Sequence, residues 1–305
     1  MARLISFCGS VGANTGGIDC DARFGNFRMV FLGGAKFTPA EYATEAALKT
    51  AILNRINRAN GDSEKLYPFP VANTVANNTE ANTEETLGDG TRRTLREGRP
   101  AYTLEAGFVG LNQESSMMAF NNATIPAFAF DDTGKFIGKF DADDNLVGAK
   151  VQVFTSPAGM GIYSAGTTTK TSINYLNSRD LSTNAKFFQT EFDTDDFEGL
   201  LDAEVRALAA PTGNAHKLGV FIPNKSIGKD KNLYDEYDDE LNATGMWRGW
   251  TAAGAQVAPT TVVKDTALLG WTVTFGTAVV RVDLATPQVL LAGDVKGIEG
   301  IALTI

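Results

Sequence analysis

The chain has 305 residues, 43% hydrophobic and 21% charged, with 27 Lys+Arg against 36 Asp+Glu for a net charge of −9. A chain of this length can bury roughly 75% of its unfolded surface, which suits one large or two modest domains and excludes a disordered tail. The acidic balance disfavours phosphate-backbone binding, which needs clustered cations to release counterions, and docking on anionic lipid.

At the N-terminus, the short apolar stretch ending at Phe7-Cys8 is diluted by Gly9, Gly12, Asn14 and Gly16 before a secretory core can form. No apolar run reaches the roughly 18 to 20 residues that cross a bilayer, so the expectation is a chain made and folded in the cytoplasm, with no membrane partner. Cys8 and Cys20 are the two cysteines, and His216 is the one histidine. Two cysteines cannot complete a zinc tetrahedron, so they read as reduced core thiols or as a late-formed disulfide.

Thirty-one Gly, frequent Thr and 19 Phe point to turns and strands. The spacing predicts one helix over 38–60: Thr38 as cap, Pro39 in the first turn, Glu41 completing a capping box, then Ala47, Leu48, Ala51, Ile52 and Ile56 at helical intervals. Residues 71–86, rich in Asn, Thr, Ala and Glu, read as a long loop that orders only against something else. Next, 89–99 place Arg92, Arg93, Arg96 and Arg99 in a hairpin. Guanidinium forks suit ion pairs with a neighbouring subunit, so these four are subunit-interface candidates, with a bare exposed hairpin as the alternative. Four cations in a chain of net charge −9 make a weak lure for nucleic acid.

Further on, Phe130-Asp131-Asp132-Thr133-Gly134 and Phe140-Asp141-Ala142-Asp143-Asp144 form a ten-residue repeat of aromatic, acidic turn and apolar pair, which predicts a β-meander. Asp141, Asp143 and Asn145 begin like a calcium loop. The glycine and bidentate Glu of that motif are replaced by Leu146 and Gln152, and a solvated acidic turn is the alternative. A second helix is predicted over 194–210, with Thr194-Asp195-Asp196 at its start and Phe197, Leu200, Leu201, Val205 and Leu208 as its stripe. Pro211-Thr212-Gly213 then marks a boundary between 1–210 and 211–305, and the last part reads as short strands of an immunoglobulin-like β-sandwich. Five carboxylates lie within Tyr234 to Glu240, a run that offers glycosidase chemistry only if two are held across a bond. Trp247 and Trp250 could stack on a sugar ring or fill the core.

The Cys8-Gly9…Asn14…Gly17…Cys20-Asp21 opening, the Thr38-Pro39-Ala40-Glu41 helix start, the 89–99 hairpin and the Phe130/Phe140 repeat together resemble virion structural proteins of tailed phages infecting Bacteroidetes-type bacteria. The resemblance implies a mainly β, α+β chain: a tail-tube-like or neck-ring-like β-sandwich or barrel with two helices, followed by an immunoglobulin-like decoration domain. It implies self-assembly into rings or a tube, with other virion proteins as partners and phage DNA as passing cargo through an acidic lumen. It brings no catalytic residue, cofactor or metal, and places the chain in the virion after assembly in the host cytoplasm. The other expectations are a capsid or head-decoration protein, a carbohydrate-binding adhesin, and a glycosidase on the 235–240 carboxylates.

Overall fold

The computed structural model describes residues 3–6, 25–107, 109, 111–156, 168–181, 184–197, 199–223 and 230–305. Cys8 and Cys20 lie outside them. The fold is mainly β with short helices, the α+β class expected. It divides into two compact units, one of Met1–Ile56 with Ser63–Phe197 and one of Asn57–Asp62 with Glu198–Ile305. The division falls at 197/198, ahead of the expected boundary at Pro211.

The first unit is built on a twelve-stranded sheet. Its main path runs Arg3–Ser6, Ala185–Gln189, Lys135–Phe140, Thr124–Asp131, Ala149–Ser156, Thr169–Tyr175, Ala101–Ala106, Ala72–Asn77. Strict alternation makes both faces apolar in different ways. In Ala127-Phe128-Ala129-Phe130, the two Phe side chains enter a core shared with Leu48 and Ile52 of helix Glu45–Ile56, and the two Ala face the other way. Phe128 and Phe136 stack at 5.3 Å, and Phe37 meets Phe128 edge-on at 5.4 Å, arrangements that favour the ring quadrupoles. On the opposite face, Val30, Leu32, Val151, Val153, Ile173 and Phe187 close a second core. Phe27, on strand Phe27–Leu32 paired with Thr124–Asp131, meets Tyr102 at 4.7 Å between ring centroids although three strands separate theirs along the ladder, so the sheet curls on itself.

The predicted meander forms with one change. Lys135–Phe140 pairs with both Thr124–Asp131 and Leu146–Val147, but Ala149–Ser156 returns to pair with Thr124–Asp131. The first predicted helix is shorter than expected and spans Glu45–Ile56. Half of the Thr38 box forms, with Glu41 Oε2 accepting from the Thr38 N–H at 2.8 Å, while the Glu41 N–H goes to the Thr38 carbonyl at 2.9 Å. It closes a turn only, because Tyr42 is drawn out to stack on Phe140 and donate its hydroxyl to the Asp144 carbonyl at 2.7 Å. Thr44 Oγ1, accepting from the Ala47 N–H at 3.2 Å, then caps the actual helix.

The second predicted helix, 194–210, is absent. A capping box at Asp193 opens one 3-10 turn, Thr194–Asp196, and the chain then runs as strand Leu201–Thr212. Phe197 is spent in the first unit's aromatic core, edge-on to Phe31 at 5.4 Å. Beyond it, Ala203 and Val205 are buried at a period of two, which suits a strand paired on both sides. Those partners are Ala215–Ile222, antiparallel, and Ile298–Ile301, parallel.

The second unit holds a six-stranded and a four-stranded sheet around one core that includes Trp271, Trp247, Phe275, Val273 and Leu284. Expected strands appear at Ala215–Ile222, Pro259–Asp265, Gly270–Phe275 and Arg281–Leu284. The parallel pair and two short helices, Tyr234–Tyr237 and Pro287–Ala292, are additions to the helix-free antiparallel sandwich the sequence suggested.

Candidate functional site

Residues 71–86 are not a loop. Ala72–Asn77 is the terminal strand on the main path of the first unit's sheet, paired with Ala101–Ala106. Both strands continue outward: the Asn78 N–H donates to the Ala101 carbonyl at 2.7 Å and the Glu80 N–H to the Arg99 carbonyl at 3.1 Å. The ladder resumes as a two-stranded ribbon of Thr83–Thr86 and Arg92–Arg96, in register Glu84↔Thr94, Glu85↔Arg93 and Thr86↔Arg92. Asp89-Gly90 turns the chain. The Leu87 N–H reaches the Thr91 carbonyl at 2.8 Å, Asp89 accepts from the Thr91 N–H at 2.9 Å, and Gly90 takes a φ of 83°. Gly98 is required at the base, where an added Cβ would stand 1.8 Å from the Glu80 carbonyl oxygen.

Every residue from 79 to 97 is exposed. Leu87 and Leu95 keep 42% and 57% of their surface open, so the ribbon has no core of its own. Its charges are largely segregated by strand, with Glu80, Glu84 and Glu85 on one side and Arg92, Arg93, Arg96 and Arg99, interrupted by Glu97, on the other. Arg92 reaches Glu84 at 3.8 Å and Arg96 is ion-paired with Glu80. Arg93 and Arg99 have no carboxylate within ion-pair distance among the described residues. The four sequence-derived interface residues are therefore brought together. The cross-strand glutamates and the two exposed leucines were missed, although Thr-Glu-Glu-Thr ahead of Asp-Gly and Arg-Arg-Thr-Leu-Arg is a readable hairpin pattern.

At the ribbon's base, Leu95, Arg96, Arg99, Leu176 and Arg179 line an open cleft of about 550 Å³. Glu97 anchors its wall. The hydrogen bond from Ser178 at 3.0 Å, and then the Arg179 guanidinium at 3.3 Å, hold the Glu97 carboxyl below the usual carboxylate range.

The other candidates are placed differently. Asp141 Oδ1 accepts from the backbone N–H groups of Asp143 at 3.0 Å and Asn145 at 2.9 Å, with the Asn145 side-chain amide at 3.2 Å. Partial desolvation opposes ionisation of Asp141, but these N–H groups outweigh it and its carboxyl lies below the usual range. The donors do what a calcium ion would do, and no cluster of three or more His, Cys, Asp or Glu suited to a metal occurs among the described residues.

Trp247 is core, with its indole N–H donating to the Leu241 carbonyl at 2.7 Å. Trp250 is half-buried, but the Arg281 guanidinium lies 4.1 Å from its ring centroid, where a sugar would stack. Buried Asp283 receives Arg248 at 3.0 Å, although desolvation still pushes its carboxyl above the usual range. Lys264 bridges Asp238 at 2.7 Å and Asp239 at 2.5 Å, and its hydrogen bond holds Asp238 low, opposite to what a general acid needs. His216 is buried edge-on to Phe275 at 6.0 Å, and burial pushes its pKa down.

No family model, curated protein or solved structure matches the chain. Among the described residues no helix is long and apolar enough to cross a membrane.

Proposed function

We propose that the chain is a non-enzymatic virion structural protein of a tailed phage, which self-assembles into rings or a tube through its N-terminal unit and carries the C-terminal unit as a decoration domain. The observation that carries this reading is the ribbon at 79–97. A lone two-stranded hairpin is marginally stable in water at best, and one with every residue exposed gains its order by packing on another chain. Arginine and leucine on such an arm supply ion-pair forks and apolar area for a subunit contact. A net charge of −9 suits a lumen through which DNA slides without sticking, since like charges suppress non-specific contact.

Arg92→Glu combined with Arg93→Glu tests the reading. Light scattering is expected to show the double variant as a monomer with an unchanged circular dichroism spectrum, beside an oligomeric parent. Oligomers of parental size from the variant would remove the ribbon from the interface.

A further inference from the structure

We infer that the ribbon's partner is the ribbon of a second copy, joined head-to-tail with the acidic strand of one copy beside the basic strand of the next. This rests on the assembly reading above and adds to it the partner surface and its polarity.

Thr83–Thr86 and Arg92–Arg96 form a sheet of two strands, so each strand has one edge whose N–H and C=O groups are unpaired within that sheet. Open edges of this kind template pairing with another chain, and proteins usually blunt them with charge. Here the charge does not blunt both edges alike. Glu84 and Glu85, with Glu80 ahead of them, give one strand a negative sign, and Arg92, Arg93 and Arg96 give the other a positive sign. Opposite charges facing each other across strands are favourable, and like charges are not.

A twofold contact sets the same strand against itself, Glu on Glu or Arg on Arg. A head-to-tail contact sets the strand of Glu84 and Glu85 beside the strand of Arg92, Arg93 and Arg96 and leaves one acidic and one basic edge free for the next copy. Only the second arrangement propagates, and it closes to a ring when the rotation allows. The internal pairs Arg92–Glu84 and Arg96–Glu80 do not use up this complementarity, because each guanidinium has five N–H donors and each carboxylate has two acceptor oxygens. The added strand would also cover Leu95, now 57% exposed.

The test is a full reversal of the ribbon, E80R/E84R/E85R with R92E/R93E/R96E, which keeps the net charge and the internal ion pairs. The reversed protein is expected to assemble by itself to the parental mass. Mixed in equal amounts with a tagged parental protein after both are dissociated and reassembled, it is expected to be excluded from the tagged particles at least tenfold. In the mixture, acidic strands would meet acidic strands and basic meet basic. Free mixing of the two proteins, or preferential mixed assembly as a twofold contact requires, would overturn the head-to-tail inference while leaving self-assembly standing. Failure of the reversed protein to assemble beside an assembling parent would overturn it as well. A parental protein that stays monomeric would sink the underlying reading instead.

Discussion

Asp131 and Asp141, the first acid in each unit of the ten-residue repeat, hold their turns with the same bonds in different surroundings. Each carboxylate accepts the backbone N–H groups two and four residues ahead, and in each turn the residue three ahead takes a left-handed conformation: Gly134 at φ 83° and Asp144 at φ 60°. Asp131 is fully buried and also receives the Gly25 N–H at 2.8 Å and the Thr133 hydroxyl at 2.8 Å. Truncating it takes the acceptor from the part-buried bonds of the Gly25, Thr133 and Lys135 N–H groups, and bonds to a charged acceptor are worth about 1.5–3 kcal/mol each. Asp131→Ala is therefore expected to lose at least about 2 kcal/mol in urea unfolding, and Asp141→Ala clearly less, because water can replace its carboxylate. Equal losses at the two sites would contradict this. The repeat was legible in the sequence because both turns use the same residue types at the same spacing. The calcium alternative was equally legible because acidic spacing alone does not say whether the oxygens face a cation or their own backbone.

At the scale of elements, periodicity was decisive where one core received the whole stripe and misled where two cores shared it. Leu48, Ile52 and Ile56 all enter the aromatic core of the first unit, so that helix was readable. In the stretch from 194 to 210, Phe197 belongs to the first unit's core while Ala203 and Val205 belong to the second's. The apparent 3.6-residue stripe was the sum of one core aromatic and a period-two strand. Phe197→Ala is expected to cost about 3–5 kcal/mol as a buried aromatic truncation. By contrast, Leu201→Ala is expected to cost less than about 1 kcal/mol, since Leu201 is 51% exposed on its strand. A helix would have buried both, so comparable losses in urea unfolding would contradict the strand. Only half of the ribbon escaped the sequence reading: a hairpin was expected over 89–99, but its first strand, Thr83–Thr86, was read as loop because with nothing to bury it shows no hydrophobic alternation.

For the molecule as a whole, the class was legible from composition and strand spacing, because an alternating chain rich in Phe and Gly has few other ways to bury its rings. What composition could not supply is the division at 197/198, which depends on which core receives Phe197. Function is legible mainly through what lacks an internal partner. The lone histidine and the tryptophan at 247 are consumed by packing, and the acids of 238–239 by Lys264, whereas the ribbon's side chains are tied to their own chain through two cross-strand ion pairs and, at the base, the Glu97 bonds to Ser178 and Arg179. An arm of this kind is useful to a protein that meets copies of itself. The most direct measurement is negative-stain microscopy of the purified protein, with light scattering on the same sample. Rings or tubes of uniform diameter, at a mass several times the 32.5 kDa of one chain, are expected. A monodisperse monomer at all accessible concentrations would contradict the self-assembling account.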